Sequence, residues 1–290
     1  MRLAFLGTPD AAVPSLRALV AAGHLVELVI TRPDRRRGRG GDLTGSPVKL
    51  AAQALGLRVG YHVDELAGLA LDRGVVVAYG ALIPAPVLDA LPMLNVHFSL
   101  LPRWRGAAPV DWAILAGDEE TGVSVMSLDA GLDTGPVHLE RRVRVGDKTS
   151  SALTGELARM GAAALVEVLE SVPLLTGATP QRGPATYARK LTKESFHVAP
   201  AMSREEVLRT VRLERAFTLV AERRLRVLRA HAASASSPPG SLFVEEGVPH
   251  LMARDGAIAL DDVQPEGARA MAARDWWAGA RLDAARVAWS

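Results

Sequence analysis

Three polar residues with complementary chemistry, Asn95, His97 and Asp133, stand beside proline- and glycine-rich loops in the middle of the chain. An amide N–H can stabilise an oxyanion, an imidazole can carry a proton near neutral pH, and a carboxylate can orient a partner or deprotonate it. The chain has no cysteine and no Gly-x-Ser-x-Gly segment, so a covalent acyl-enzyme is not the obvious route. These residues favour direct attack by a bound amine on a bound acyl donor.

A simpler explanation of the same residues stays open at this point. A single histidine on a strand is usually a hydrogen-bonded structural residue, and an aspartate in a glycine-rich loop usually forms a turn. Asp129 lies near Asp133 and is a second carboxylate to be weighed against it. Spacing alone does not decide between a catalytic and a structural role.

Three short strands are expected to position these residues. The first, 75–78, is fully apolar and β-branched, as in a strand that a parallel sheet buries on both faces. The second, 94–99, alternates apolar and polar residues, and the third, 122–128, leads into the loop that holds Asp133. Strands that end at polar, glycine-rich loops predict a site at the carboxyl edge of an α/β sheet.

Alternation along the second strand predicts which side chains share a face. Successive side chains of a strand point to opposite sides, so Asn95, His97 and Ser99 belong to one face. Val96 and Phe98 belong to the other face, where a core is expected.

The beginning of the chain is typical of a doubly wound α/β fold with a mostly parallel sheet. A short apolar strand (2–6), a helix (11–22) ended by a glycine, and a second strand (25–30) follow one another. The first turn is Gly-Thr-Pro-Asp and does not match Gly-x-Gly-x-x-Gly, so nothing here indicates a dinucleotide.

Length and composition set further limits. The chain has 290 residues, of which 49% are hydrophobic. Its formal net charge of +2 is compatible with an anionic partner but does not require one. The absence of cysteine fits a reducing compartment, and we expect a cytoplasmic protein. No stretch approaches the roughly 20 apolar residues that span a bilayer. No His/Asp/Glu cluster has the spacing of a metal site, so no metal is expected.

The remainder of the chain predicts a second, smaller domain. A periodic helix over 150–175 closes the first domain, and the expected division is 1–176, a linker at 177–202, and 203–290. Ser203-Arg-Glu-Glu206 has the pattern of a capping box that starts a helix. Short strands separated by Gly-, Ser- and Pro-rich turns then predict a small β-barrel.

An arginine run at 32–41 is the strongest local charge feature of the chain. Most such runs are solvated loops. Guanidinium groups also bind phosphate bidentately, and the glycines among them would let the loop adapt to a nucleic acid.

Two long segments carry a family resemblance. NVHFSLLPRWRGAAPV and ETGVSVMSLDAGLDTGPV resemble the folate-dependent formyltransferases, and within them the members that act on methionyl-tRNA. The resemblance implies a Rossmann-like formyltransferase domain followed by an OB-like barrel. It implies a 10-formyltetrahydrofolate donor, a methionyl-initiator tRNA acceptor, direct amine attack without a covalent intermediate, and a monomer.

The resemblance also assigns residues. The catalytic set falls on Asn95, His97 and Asp133, with Asp129 at a variable loop position. The folate-contacting positions are Tyr79, Gly80, Ser99, Leu100, Leu101 and Pro102. The tRNA-contacting positions are Arg35, Arg36, Arg37, Arg39 and Lys190.

The chain departs from the family in its second domain, where the usual Arg-Ile-Asp-Trp and Pro-Trp-Pro segments are replaced by SFHVAPAMS and VRLERAFTLVAERRLRV. Those elements contribute to the acceptor-facing surface of the family. Two alternatives therefore stay open: a formyltransferase that acts on an amino-sugar nucleotide, and a folate- or RNA-binding homologue without turnover.

Overall fold

A computed structural model of the protein describes residues 1–36, 43–280, 282 and 288–290. Contacts within the chain divide it into two compact units. The first unit comprises residues 1–110, 120–144 and 153–189, and the second comprises 111–119, 145–152 and 190–290. Grouping by contacts does not show which pieces would fold alone, so the domain limits at 176 and 203 stay a prediction.

The first unit is built on a seven-stranded sheet with the order β10-β9-β7-β6-β1-β2-β5. Its strands and short ladders are β1 Arg2–Gly7, β2 Leu25–Ile30, β3 Arg35–Arg36, β4 Leu43–Thr44, β5 Val59–Gly60, β6 Arg73–Val77, β7 Met93–His97, β8 Arg105–Gly106, β9 Glu120–Ser127, β10 Val137–Arg144 and β11 Tyr187–Ala188. Helices α1 to α6 lie between these strands in the sequence: Val13–Ala21, Pro47–Ala54, Ala85–Ala90, Pro109–Ala116, Ser150–Glu170 and Val172–Thr176. Most of α4 and the first three residues of α5 group with the second unit.

The order of the parallel strands creates a crevice. The chain runs from β1 outward to β2 and β5, and then returns to the other side of β1 to form β6 and β7. The strand order therefore reverses between β1 and β6, where the loops at the carboxyl ends diverge and a ligand can enter. The mostly parallel α/β sheet that the sequence predicts is confirmed.

The expectation that all three strands end at the same edge of the sheet is wrong for the third, β9, which runs antiparallel to β7. His97 at the end of β7 lies opposite Ser124, whereas Leu94 lies opposite Ser127 at the end of β9. The carboxyl ends of these two strands thus lie at opposite edges. The pattern of apolar residues in a strand is the same in either direction, so the sequence does not carry this information.

The predicted faces of β7 are confirmed by its packing. A Cβ placed on Gly161 of α5 would come within 2.5 Å of Val96 and 3.7 Å of Phe98. Helix α5 therefore lies directly on the Val96 side, and the glycine permits that close approach. Asn95 and His97 are left on the opposite side of the strand.

Two helical segments are short. Val63–Leu66 forms only a 3-10 turn, because Ala67 is extended and Gly68 has a φ of +77°. The helix predicted over 150–175 ends at Glu170, and Ser171 caps the separate α6. None of the helices in the described part of the chain is both long and apolar enough to cross a membrane.

The second unit is an antiparallel sheet with a helix at each end of its sequence. The order β12-β13-β16-β15-β14, with β17 paired to β16, gives a curled sheet consistent with the predicted OB-like barrel. Its elements are α7 Arg204–Val211, β12 Phe217–Val220, β13 Arg223–Ala233, β14 Leu242–Glu245, β15 Val248–Met252, β16 Ala257–Pro265, β17 Met271–Ala272 and α8 Ala273–Ala280. Its apolar core contains the fully buried Val207, Leu242 and Leu251.

Residues 288–290 join the two outer strands of this sheet. Trp289 bridges to Val220 of β12, and Ala288 bridges to Ser241 immediately before β14. Leu219 and Ser290 exchange two backbone hydrogen bonds of 2.8 and 3.0 Å. Trp289 is 2% exposed and belongs to the core, so its burial holds residues 288–290 in place. We call these three residues the seam of the sheet.

The capping box at Ser203 is confirmed and generates a stability prediction. Ser203 Oγ accepts from the Glu206 N–H, and the Glu206 carboxylate accepts from the Ser203 N–H at 2.7 Å. We expect Ser203→Ala to lower the free energy of unfolding by about 1 kcal/mol, because a helix N–H loses its acceptor. Chemical denaturation at neutral pH measures this, with the exposed Ser236→Ala as control. Equal stability of the two variants would contradict it.

The same capping box predicts a pH dependence. Hydrogen bonds from Ser203 hold the pKa of Glu206 below its ordinary value. This carboxylate therefore stabilises the fold above its unfolded-state pKa, and the contribution is lost as the pH falls through the acidic range. The difference in stability between wild type and Glu206→Gln should shrink on acidification. A difference that stays constant from neutral pH to acid would refute this.

Candidate active site

Asn95 and His97 lie on β7, two residues apart and on the same side of the strand. Asn95 is held by ladders on two sides, because it pairs with Val76 of β6 and with Met126 of β9, and His97 pairs with Ser124 of β9. Asn95 is 8% exposed and His97 is 6% exposed. Within the described residues, the side-chain amide of Asn95 makes no hydrogen bond. A rigid strand thus presents an amide and an imidazole at a small opening.

The loop after β7 determines which nitrogen of His97 carries a proton. His97 Nε2 lies 2.9 Å from the backbone oxygen of Trp104. A carbonyl oxygen can only accept, so Nε2 must be the protonated nitrogen of the neutral ring. Trp104 is itself held by its N–H, which donates to Thr186 Oγ1 at 2.9 Å. The nitrogen left for chemistry is therefore Nδ1.

Asp133 approaches His97 from the loop between β9 and β10. Its Oδ2 lies 3.7 Å from His97 Nδ1 and accepts a 2.7 Å hydrogen bond from the Gly106 N–H. The residue has a φ of +51°, in the left-handed region, and its side chain is 13% exposed. The 3.7 Å separation is too long for a direct hydrogen bond, so both groups can face one polar group placed beside them.

Asp129, the neighbouring carboxylate, has a different role. Its Oδ1 accepts from the Gly131 N–H at 3.0 Å and from Thr134 Oγ1 at 2.7 Å. These bonds close an Asx-type turn on the exposed side of the loop. Asp129 shapes the loop, and Asp133 is the carboxylate that faces His97.

One residue that supports Asp133, Gln181, is missed by sequence reasoning. Gln181 donates from Nε2 to the backbone oxygens of Asp133 and Gly135, at 2.8 Å each. Its Oε1 accepts from the Arg105 guanidinium at 2.6 and 3.1 Å. Gln181 lies in the segment expected to be a linker, and backbone acceptors have no signature in the sequence, so no pattern indicates this arrangement.

The short ladder of β8 and β11 completes this support. Tyr187 pairs with Arg105, and Ala188 pairs with Gly106. A Cβ on Gly106, which has a φ of +114°, would lie 2.9 Å from the Ala188 oxygen. Only glycine fits this position, and it is the residue whose N–H reaches Asp133.

Tyr79 and Gly80 lie at the crevice between β1 and β6. The Tyr79 side chain is 7% exposed and packs into the apolar core, and burial raises the pKa of its hydroxyl. Its backbone oxygen accepts from Thr8 Oγ1 at 3.2 Å, and the Gly80 oxygen accepts from Arg32. The exposed residues of this loop are therefore Ala78 and those from Gly80 to Leu82, of which Leu82 is 93% exposed.

The four predicted folate positions after β7 differ in exposure. Ser99 is fully buried, and its hydroxyl donates to the Arg103 oxygen at 2.6 Å. Leu101 is 7% exposed, whereas Leu100 and Pro102 are half-buried. The Ser99 hydroxyl thus stabilises the loop. Leu100 and Pro102 expose more apolar surface than Ser99 or Leu101.

Only the first half of the arginine run, residues 32–36, is described. Arg35 and Arg36 are exposed on β3 and pair with β4. Lys49 Nζ lies 2.6 Å from Asp34 and ties α2 to the residues just before β3. Arg37 and Arg39 lie outside the described residues. Lys190 is exposed at the start of the last segment of the second unit.

The arrangement is suited to proton transfer beside a polar reaction centre. Asn95 supplies amide N–H groups, His97 supplies Nδ1, and Asp133 supplies a carboxylate oxygen, all beside the crevice of the sheet. Among the described residues, no group of three or more His, Asp or Glu side chains is placed to hold a metal ion. The expectation that the protein needs no metal stays a prediction.

Family comparisons identify both parts of the chain. A family model described as formyl transferase matches residues 1–169. A second model, described as the C-terminal domain of formyl transferase, matches residues 190–281. The catalytic candidates all lie within the first match.

Solved structures show the same fold. An N-formyltransferase from Helicobacter canadensis, in complex with folinic acid and dTDP-3-aminofucose, superposes with a TM-score of 0.66 at 14% identity, covering 89% of this chain and 98% of that one. HypX from Aquifex aeolicus, in complex with tetrahydrofolic acid, gives 0.63 at 18% identity, covering 95% of this chain and 46% of that one. At such identities the likeness concerns the fold alone.

Curated relatives are similar over nearly the whole length. Methionyl-tRNA formyltransferase from Paracoccus denitrificans is 42% identical, covering 97% of this chain and 98% of that protein. The one from Novosphingobium aromaticivorans is 44% identical, covering 93% of this chain and 94% of that protein. This chain therefore belongs to the formyl transferase family and, within it, to the group whose curated members are methionyl-tRNA formyltransferases.

Proposed function

We propose that this protein transfers a formyl group from 10-formyltetrahydrofolate to the amino group of methionyl-initiator tRNA. The observation that carries the proposal is the meeting of Asn95, His97 and Asp133 beside the sheet crevice, in a chain whose relatives of that name match it end to end. An enzyme with this role works where translation starts, so we also propose a cytoplasmic location. A monomeric state stays a prediction.

In the proposed mechanism Asn95 stabilises negative charge. When an amine attacks a formyl carbon, the carbonyl oxygen becomes an oxyanion. An amide N–H fixed on a buried strand can donate to that oxygen without reorganising. The lack of a hydrogen-bond partner for the Asn95 amide among the described residues supports its role towards the substrate.

His97 and Asp133 manage the proton of the attacking amine. The acceptor amine is an ammonium group near neutral pH and must lose a proton before it attacks. Asp133 Oδ2 and His97 Nδ1 lie 3.7 Å apart, so an amine bound beside them can reach both, and its proton passes to one of them directly or through a water molecule at their side. With Nε2–H bound to the Trp104 oxygen, His97 exchanges protons through Nδ1 and assists the oxyanion in its protonated form. Collapse of the oxyanion then breaks the bond between the formyl carbon and N10 of the folate, and the proton taken from the amine passes to that nitrogen, which releases tetrahydrofolate.

The co-substrate supplies the formyl group, and two loops offer surfaces suited to its pteridine ring. A flat heteroaromatic ring needs apolar walls with a few backbone hydrogen-bonding groups. We assign the backbone around Tyr79 and Gly80, and the segment from Ser99 through Leu100 and Leu101 to Pro102, to this role. Ser99 and Tyr79 would act through their backbone, because their side chains are buried.

Basic residues supply the proposed tRNA contacts. We assign to phosphates of the acceptor stem the exposed Arg35, Arg36 and Lys190, together with Arg37 and Arg39, which lie outside the described residues. Exposed guanidinium groups bind phosphate at little cost in desolvation. An amino-sugar nucleotide would not require this surface, so acceptor choice separates the two activities.

The first test is formyl transfer from 10-formyltetrahydrofolate, with methionyl-initiator tRNA and an amino-sugar nucleotide offered side by side. We expect the tRNA to be formylated, and Asn95→Ala to lower kcat by about 100- to 1,000-fold, as for loss of one oxyanion donor. The exposed Gln53→Ala is the matched control and should keep wild-type turnover.

Other outcomes of that test have definite meanings. Formylation of the sugar alone would replace the acceptor and keep the catalytic set. Unchanged turnover in Asn95→Ala, with the fold intact by circular dichroism, would remove Asn95 from the mechanism. Binding of folate and tRNA without any turnover would indicate a homologue that has lost activity.

A second prediction concerns Gly106. Alanine there would strain a φ of +114° and meet the Ala188 oxygen at 2.9 Å, which displaces the N–H that holds Asp133. We expect kcat to fall by about 10- to 100-fold, the effect of misplacing a catalytic group by about 1 Å. Gly155→Ala in α5, where the added methyl meets only Arg159 at 3.6 Å, is the control. Equal kcat in both variants would contradict this role.

A third prediction concerns salt. If the arginines contact phosphates, replacing Arg35 and Arg36 by alanine should weaken tRNA binding and reduce the slope of log affinity against log salt by about 1 per lost contact. Replacing Arg37 and Arg39 should have the same effect. Arg142→Ala, on an exposed position of β10, serves as the control. If the slope is the same in all variants, these arginines do not contact the tRNA.

A further inference from the structure

Gln181 lies at a junction that the proposed mechanism does not use directly. Its amide touches three groups from two different loops: the backbone oxygens of Asp133 and Gly135, and the guanidinium of Arg105. Arg105 immediately precedes Gly106, whose N–H donates to the Asp133 carboxylate. One side chain thus connects the loop that carries the carboxylate with the loop that carries its hydrogen-bond donor.

The four contacts fix the orientation of the amide. Nε2 faces two carbonyl oxygens, which only accept, and Oε1 faces a guanidinium, which only donates. Turning the amide over would leave every one of these contacts unfavourable. A primary amide combines two N–H donors and a carbonyl acceptor in one plane, and the asparagine side chain is one methylene shorter. The position is therefore specific for glutamine.

Asp133 needs such support because of its backbone. A φ of +51° lies in the left-handed region, which residues with a side chain adopt less readily than glycine. The two hydrogen bonds from Gln181 hold the backbone oxygens on either side of Thr134, and so fix the turn in this conformation. The direction of the Asp133 carboxylate follows from the backbone of that turn.

We propose that Gln181 is a positioning residue for the formyl transfer, which holds the Asp133 carboxylate against the Gly106 N–H and towards His97. This inference rests on the proposed function for its kinetic consequences. Gln181 itself does not reach the reacting atoms. Its effect is transmitted through Asp133 alone.

The test uses Gln181→Glu in the full-length protein. Glutamate keeps the size and can still accept from Arg105, but it places an oxygen against the Asp133 and Gly135 carbonyls. We expect kcat to fall by about 10- to 100-fold, with the Michaelis constants for donor and tRNA unchanged, because a catalytic group is misplaced while binding surfaces are kept. Gln53→Glu, the same change on an exposed face of α2, should leave kcat unchanged.

A double variant distinguishes positioning from a general effect on the fold. If Gln181 acts through the carboxylate, adding Gln181→Glu to Asp133→Asn should cause no further loss of kcat. The proposal would be overturned if the double variant lost kcat by the product of the two single losses. It would also be overturned if Gln181→Glu alone kept the wild-type kcat. If Gln181→Glu does not fold, Gln181→Asn takes its place and should reduce kcat in the same way.

A readout independent of activity separates this inference from the proposed function. The Gly106 N–H is predicted to lose its protection from hydrogen exchange in Gln181→Glu, since its acceptor moves away. Unchanged exchange at Gly106 would overturn the positioning role. Absence of tRNA formylation by the wild type would overturn the proposed function and leave the exchange result standing.

Discussion

The hydrogen bond from the Gly106 N–H to the Asp133 carboxylate is the contact on which the geometry of the site depends. It joins two loops that leave the sheet from strands running in opposite directions, β7 and β9. His97 is fixed on its other nitrogen by the backbone oxygen of Trp104, which stands two residues before Gly106 in the sequence. The loop 98–108 therefore aligns both members of the His97–Asp133 pair at once.

Much of this architecture is visible in the sequence, for identifiable reasons. The faces of β7 follow from the two-residue period of a strand, which places Asn95 and His97 on one side and Val96 on the other. The capping box at Ser203 is predictable because both of its bonds depend on side chains within one turn. These features are local, so the order of residues along a short segment is enough to specify them.

The features that escape prediction depend on distant backbone groups. The direction of β9 is decided by where the chain re-enters the sheet, which alternation of apolar residues does not record. Gln181 donates to backbone carbonyl oxygens, which every residue has, so the types of its partner residues do not reveal the contact in the sequence. Tyr79 shows a related effect: the family resemblance assigns it to the folate site, yet its side chain belongs to the apolar core while its backbone oxygen accepts a hydrogen bond from Thr8. The side chain and the main chain of one residue thus serve different purposes.

The seam at residues 288–290 has a consequence for colloidal behaviour. A curled antiparallel sheet that stops short of closure would present two rows of unpaired N–H and C=O groups, one along β12 and one beside β14. Such rows are templates on which another chain can add a strand. By pairing with Val220 on one side and Ser241 on the other, this short segment occupies both templates, and the buried Trp289 keeps it there. We therefore expect these three residues to hinder the addition of a strand from another molecule to either edge of this sheet.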